Sequence, residues 1–420
     1  MDSPTSGSPR LRVISREIAP VGDLLPYADP VDPLVWSRRG AWLVGAGEAL
    51  TLTAPGTGSA QLAARWRDAV AHAEIDDHVG ETGSGLVAFG AFPFDPASHA
   101  RALLTVPRLT IGHRGDRTWA TWVLTDADDA DPDEPAAVPL GPHWSAAVGP
   151  GALTPEGYQD AVRSGLSAIA AGEVSKVVLA RDLRGTVPGG ADLRRLVRSL
   201  ASGYPDTWVY AVDGLIGASP ETLVTVSGGT VTARVLAGTV ARGADPDSDR
   251  EAALTLASSA KDLDEHGYAV RSLVDALSPY ASALVAGEQP FTLALPNVWH
   301  LATDVEATTA GDTSVLDLLA ALHPTAAVAG TPTAAALAAI SRIEPFDRGR
   351  YAGPVGWVDA HGDGEWAIAL RGAQFDLDAR TDEGIPFTAY AGAGIVAGSD
   401  PETELLETRV KFRPIVDALA

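Results

Sequence analysis

Apolar residues recur along this chain with two different periods. Tyr158, Val162, Leu166 and Ile169 return every three or four positions, which is the stripe of an amphipathic helix. Thr154 offers a capping hydroxyl, Pro155 suits the first turn and Gly172 suits the stop, so the pattern predicts a helix over Thr154–Gly172. That helix feeds a strand at Lys176–Arg181. The runs Leu223–Val226 and Thr230–Leu236 flank Ser227-Gly228-Gly229 and predict a hairpin. Gly353–Trp357 and Trp366–Phe375 read as strands around the turn His361–Gly364, and Thr388–Val396 reads as another. Gly85–Asp95 reads as a buried strand leading into a turn. Arg250–Leu277 reads as one long helix. Val315–Leu322 is a shorter helix ended by His323-Pro324, and Pro401–Ala420 is a C-terminal helix. Strands follow one another directly more often than a β–α–β wrap permits, which predicts an α+β fold with antiparallel sheets. Residues 1–12, rich in Ser, Pro and Gly, are expected to be a disordered tail. With no internal repeat and no linker after residue 150, residues 13–420 are expected to form one domain. Its segment 13–150 is less diagnostic than its segment 151–420.

Charge narrows the partners. The 420 residues carry a net charge of −23, which argues against nucleic acid and anionic membrane as ligands. It also means that an anionic substrate would need a local cationic site or a metal. There is no Cys, so thiol catalysis, disulfides and Cys–zinc sites are excluded. The N-terminus has no apolar core, and no apolar run approaches the ~18–20 residues of a membrane span. A cytoplasmic monomer is expected. Asp126–Pro135 is acidic and broken by proline; it lacks the ligand spacing of a calcium loop and reads as a solvated loop.

Candidate chemistry begins with lysine. Only Lys176, Lys261 and Lys411 occur, against 28 arginines (31 basic residues minus three). Arg stays protonated, whereas a buried Lys can serve as a base. Lys176 shares a strand face with Val178 and Ala180, an apolar setting that would lower its pKa unless it snorkels to water. Asp262 and Glu265 are three residues apart, as are Glu404 and Glu407, so each pair shares a helix face. Two such helices could aim hard oxygens at one Mg²⁺. The same spacing also suits solvated faces with Lys261–Glu265 and Glu407–Lys411 ion pairs. Gly392-x-Gly394-x-x-Ala397 mimics a dinucleotide fingerprint, but lies too near the C-terminus for a Rossmann unit. It reads instead as a tight turn before a helix capped near Asp400, or as exposed amides for a carboxylate. On local pattern alone, Glu221 is a turn residue, His300 a core histidine, and Arg371 part of a buried ion pair within one strand.

In order along the chain stand KVVLAR (from Lys176), GASPE (to Glu221), LAGTVAR (Leu236–Arg242), KDLDEH (Lys261–His266), VWHL (around His300) and LHPTAAVAGTP (Leu322–Pro332). There follow EPFDRGRYAGPVGWVDAHGDGEW (Glu344–Trp366), ALRGAQ, YAGAGIV and ELLETRVK. Taken together they resemble the chorismate-utilising enzymes, and among these most of all the isochorismate synthases. The likeness runs from about Gly85 and is dense from Lys176 onward. It implies two large antiparallel sheets packed together with helices outside, and a Mg²⁺-dependent isomerase acting on chorismate. By resemblance, Glu265 and Glu407 match the Mg²⁺-binding carboxylates, with Asp262 and Glu404 in support. Gly238, Thr239, His300, Ala327, Tyr351, Arg371, Gly392 and Lys411 match the substrate pocket. Lys176 matches the base that activates water, and Glu221 the acid that protonates the departing hydroxyl. Anthranilate synthases lack the base Lys, and aminodeoxychorismate synthases carry a nucleophilic Lys where Ala237 stands. Salicylate synthases, which add pyruvate elimination, are the alternative. A non-catalytic chorismate-binding protein is a remote one, predicting loss of Lys176, Glu221, Glu265 or Glu407. The product would serve a siderophore, menaquinone or other aromatic route.

Overall fold

Two β-sheets face one another across a layer of large side chains. In this computed structural model, residues 10–126, 128, 134–294 and 298–420 are described, apart from the side chains of Thr239, Ala241, Lys261, Glu265 and Val298. Among the described residues one sheet has thirteen strands and the other ten. The elements that build the site are, in chain order, β1 (Lys176–Val187), β2 (Trp208–Val212), β3 (Leu215–Ser219), β4 (Thr222–Ser227), β5 (Thr230–Ala241), α1 (Ala260–Leu277), β6 (Val298–Thr309), β7 (Gly364–Ile368), β8 (Gly372–Phe375), β9 (Ile385–Ile395) and α2 (Pro401–Leu419). The larger sheet holds β1, β2, β3, β8 and β9; the smaller holds β4 to β7.

The named strands pair antiparallel, except that Leu11–Glu17 runs parallel to Glu74–Asp77. Strands from before residue 150 enter both sheets: Leu34–Arg38 pairs with β2, and Val87–Ala91 pairs with Pro354–Asp359 of the smaller sheet. Trp36, Phe89, Trp119, Tyr210 and Trp357 fill the space between the sheets. Leu196, Val197, Phe412 and Ile415 cover the larger sheet from outside, on helix Arg194–Gly203 and α2. Leu62, Trp66, Leu316 and Leu319 belong to the apolar cluster that covers the smaller one. No helix among the described residues is long and apolar enough to cross a membrane.

Local signals explain most elements. Thr154 Oγ1 accepts the Gly157 amide at 3.1 Å and starts a helix at Pro155, while Gly172 follows its end at φ +74°. Gly228 and Gly229 both take positive φ and close the β4–β5 hairpin. Three expectations need correction. Arg250–Leu277 is two helices, Pro246–Ser258 and α1. Ser259, at ψ 107°, ends the first and caps the second by accepting the Asp262 amide. Trp366–Phe375 is likewise two strands, β7 and β8, in different sheets. Leu11 and Arg12 belong to a strand rather than to a tail; residues 1–9 lie outside the described residues, as does most of the acidic stretch 126–135.

One edge of β1 is completed by side chains. Along that edge, Lys176 and Val177 pair with Gly330–Thr331, and Leu183–Gly185 pair with Val148–Pro150. Between these, Val178 N–H donates to Ala329 O at 2.9 Å. Glu344 Oε1 then accepts the Ala180 amide at 2.7 Å, and Arg348 donates to Val178 O at 2.7 Å and Val328 O at 3.0 Å. Glu344 and Arg348 pair with each other at 2.6 Å, fully buried, so the two charges that serve the Ala180 amide and the Val178 carbonyl neutralise one another. Arg348→Met would leave Glu344 buried and unpaired, and should remove about 3–5 kcal/mol of stability. Urea unfolding should show a lower midpoint at unchanged slope, and the added change Glu344→Leu should restore part of the loss.

Candidate active site

The site lies on the seam where the chain passes from one sheet to the other. Two such crossings run side by side. The first leaves β3 at Ser219 and enters β4 at Thr222, with Pro220 and Glu221 between. The second leaves β7 at Ile368 and enters β8 at Gly372, with Ala369, Leu370 and Arg371 between. They are stitched together: Ile368 N–H donates to Glu221 O at 3.0 Å, Ser219 Oγ donates to Ile368 O at 2.5 Å, and Ala218 N–H donates to Arg371 O at 3.3 Å. Glu221 and Arg371 therefore leave the backbone where neither sheet covers them. Burial pushes the Glu221 carboxyl above its usual range, although Lys176, Lys411 and Arg371 all pull the other way. Arg371 is lowered by burial, against the opposing influence of Tyr351, Glu407 and Glu221.

Lys176 comes from the start of β1, and its strand neighbour makes room for it. β1 and β9 pair with Val178 opposite Gly394 and Ala180 opposite Gly392. Lys176, Val178, Ala180, Gly392 and Gly394 thus share one face, and both glycines leave it bare. A methyl group at Gly394 would stand 3.0 Å from Lys176 Cε. Past Ala389 the far side of β9 loses its pairing with β8, and Lys411 of α2 reaches in to donate to Gly392 O at 2.8 Å. Lys411 also pairs with Glu407 at 2.5 Å.

The smaller sheet contributes His300. Opposite it, β5 bulges between Ala237 and Thr239, with Gly238 at φ +77°. Burial lowers the His300 pKa, a hydrogen bond to the Gly238 backbone partly offsets this, and the charges of Lys176 and Lys411 lower it further. The Asp262 side chain lies beside the same bulge, 3.3 Å from where a Gly238 Cβ would be. His266 anchors α1 there, bonded to Ala237 O at 3.0 Å and Thr303 Oγ1 at 2.7 Å. Among the described residues no three acidic or histidine side chains stand ready as a metal cluster. The donor chemistry nonetheless fits a hard cation. Glu404 is buried, and its carboxyl is raised first by that burial and then by the like charge of Glu407.

These residues match the family of chorismate binding enzymes over residues 32–420. The chain belongs to the chorismate-binding enzymes. It is 42% identical over 278 residues to isochorismate synthase DhbC of Bacillus subtilis, covering 63% of this chain and 68% of that protein. It is 35% identical over 265 residues to isochorismate synthase EntC of Escherichia coli, covering 62% and 66%. The solved structure of MenF, the menaquinone-specific isochorismate synthase from Escherichia coli, superposes with a TM-score of 0.76 at 25% identity, covering 99% of this chain and 96% of that one.

In this chorismate-binding enzyme, Lys176, Glu221, His300, Arg371, Lys411 and Glu407 form one electrostatic neighbourhood: Lys176, Lys411 and Arg371 act on Glu221, Lys176, Lys411 and Glu407 on His300, and Glu407 and Glu221 on Arg371. Tyr351 joins them, stacked on Tyr390 with ring centres 5.1 Å apart. Ala327 is exposed, on the loop that also supplies Val328 O and Ala329 O to β1 and Arg348. The side chains of Thr239 and Glu265 lie outside the described residues. Two readings change. Arg371 sits in a crossing at φ +55°, not inside a strand. Gly392 and Gly394 lie within β9, in the strand expected over Thr388–Val396, and the alternative reading of a tight turn falls. Sequence reasoning passed over Ser219, His266, Glu344 and Arg348, which position the others. Their one signal was membership in the GASPE, KDLDEH and EPFDRGR segments. A concavity among Trp36, Arg38, Trp42, Arg114 and Trp208 contains none of the expected residues. A narrow crevice beside Tyr210, Tyr351, Gly372 and Tyr390 borders the seam. Charge and chemistry, rather than volume, locate the site. Gly394→Ala should displace Lys176 and lower turnover at least tenfold with the unfolding midpoint little changed; wild-type turnover would show that Lys176 tolerates the methyl group. Burial should also make His300 titrate below the ordinary imidazole value of about 6.5, read by NMR.

Proposed function

We propose that this protein is an isochorismate synthase. The observation that carries the reading is a buried Glu221 carboxyl within electrostatic reach of Lys176, Lys411 and Arg371. A small dianion entering an acidic protein needs such cations, and Arg371 is suited to hold a carboxylate in two-point contact. Lys176 takes a proton from water as the water oxygen bonds to ring C2. The ring double bonds shift, and the C4 hydroxyl departs as water with the proton of Glu221. Lys176 has then gained one proton and Glu221 lost one, and exchange with solvent resets both. A carboxyl that burial keeps protonated is the right donor, and a lysine short of its proton is the right acceptor. Neutral His300 offers a polar contact without adding charge.

Glu265 and Glu407, with Asp262 and Glu404 beside them, are the residues that would hold Mg²⁺. When bound, the ion would neutralise and anchor a carboxylate of the substrate. Lys176 also favours water over ammonia as nucleophile, because water needs the stronger activation.

Chorismate, protein and Mg²⁺ should give isochorismate without pyruvate, checked by chromatography and a lactate dehydrogenase-coupled assay. Stoichiometric pyruvate with salicylate fluorescence would make it a salicylate synthase, and unconsumed chorismate a binding protein. EDTA should abolish turnover and Mg²⁺ restore it. Lys176→Gln and Glu221→Gln should each lower kcat by on the order of 10²–10⁴ while chorismate still binds. The pH profile should be decided by Glu221 on its alkaline side. Its raised pKa keeps the proton on above the usual carboxyl range, and activity should fall as pH rises through that value. In Glu221→Gln this alkaline limb should vanish.

A further inference from the structure

Arg371 is held in a backbone conformation that it would not choose. Among the described residues, four non-glycine residues take positive φ: Arg39, Asp213, Ala352 and Arg371. Arg39 and Asp213 each precede a glycine in a hairpin turn between paired strands. Ala352 and Arg371 instead stand at the seam: Ala352 N–H donates to Ala369 O at 2.9 Å, two residues before Arg371, and Arg371 O accepts the Ala218 amide at 3.3 Å. A left-handed arginine persists only where its surroundings fix it.

Beside the Ala218 amide that holds Arg371 O, one side chain reaches the residue before it, Tyr210. This residue of β2 is wholly buried, and its hydroxyl donates to Leu370 O at 2.9 Å, on the residue just before Arg371. Its place is cut by two glycines. A methyl group at Gly217 would overlap the hydroxyl oxygen, and one at Gly372 would stand 2.7 Å from it. Gly217 and Gly372 are opposite each other in the β3–β8 pairing, so the phenol enters a window through the sheet at its crossing point. Burial pushes the phenol pKa up, which keeps it a donor.

We propose that Tyr210 is a positioning residue: by holding the Leu370 carbonyl it fixes the left-handed backbone of Arg371 and so aims the guanidinium at a carboxylate of the substrate. The proposal rests on the reading of Arg371 as a substrate contact. It differs from a packing role, because the ring of phenylalanine would fill the same slot without the hydroxyl.

The test is Tyr210→Phe in the full-length protein. One buried hydrogen bond is removed, so KM for chorismate should rise about three- to tenfold with kcat within about twofold. In an Arg371→Ala background the same change should leave KM unaltered, because nothing remains to aim. The NMR signal of the Arg371 Nε–H should shift in Tyr210→Phe even without substrate. A KM within twofold of the parent, or the same rise in both backgrounds, overturns the proposal. Should the parent fail to convert chorismate, the functional reading fails separately. The Arg371 signal then decides the positioning alone: a shift supports it and an unmoved signal overturns it.

Discussion

The buried pair of Glu344 and Arg348 is the constraint on which the site depends. A strand in the middle of a protein must bond its amides and carbonyls on both edges, and β1, paired with β9 on one edge, lacks a strand partner on the other over its critical stretch. Glu344 and Arg348 serve as that partner, taking the Ala180 amide and the Val178 carbonyl while neutralising each other. Arg348 also holds Val328 O, so the same pair ties the loop after His323 to the strand. Its guanidinium lies 4.4 Å from the centre of the Phe94 ring and 5.9 Å from that of Tyr351, which carries the constraint on to the pocket wall. Lys176, at the first position of β1, inherits its placement from this anchor.

The second constraint is the seam. Side chains inside a sheet point into a packed layer and are covered, whereas a chain changing sheets must leave some backbone positions uncovered. Glu221 and Arg371 occupy those positions on adjacent crossings. Small residues do the complementary work: Gly392 and Gly394 bare the strand face, Gly238 supplies the bulge opposite His300, and Gly217 with Gly372 admits the Tyr210 phenol. Each absence of a side chain makes space for a functional one. The left-handed backbone of Ala352 and Arg371 is strain concentrated at the place where the arrangement is used.

Electrostatics reconcile an acidic protein with an anionic ligand. Two of its three lysines, Lys176 and Lys411, act together with Arg371 on one buried carboxyl, that of Glu221. Burial raises Glu221 despite three cations, and the same burial makes His300 poorly basic. Desolvation therefore dominates over pairwise attraction here, and it separates the roles of groups that would titrate ordinarily in water.

The sequence by itself determined a good deal. Periodicity and capping residues gave the helix after Thr154 and the hairpin at Gly228-Gly229, because those signals act over a few neighbours and need no tertiary partner. The ordered motifs gave the family, and they named Lys176 and Glu221, which the fold brings into one electrostatic neighbourhood. Scarcity of lysine marked two residues that converge. Tertiary structure alone decided the rest. The break between Ile368 and Gly372 is invisible in an alternating apolar run, since the two halves pair with strands far apart in the chain. Glu344 and Arg348 look like an ordinary i,i+4 pair until the strand edge that they complete is seen. Gly392 and Gly394 looked like a turn, because a glycine that makes space across a sheet has the same local signature as one that bends the chain. Whether Glu404 and Glu407 face water or the pocket likewise depends on what α2 packs against. Local sequence specifies conformation through near neighbours, and only the pairing of distant strands decides what stands opposite each side chain.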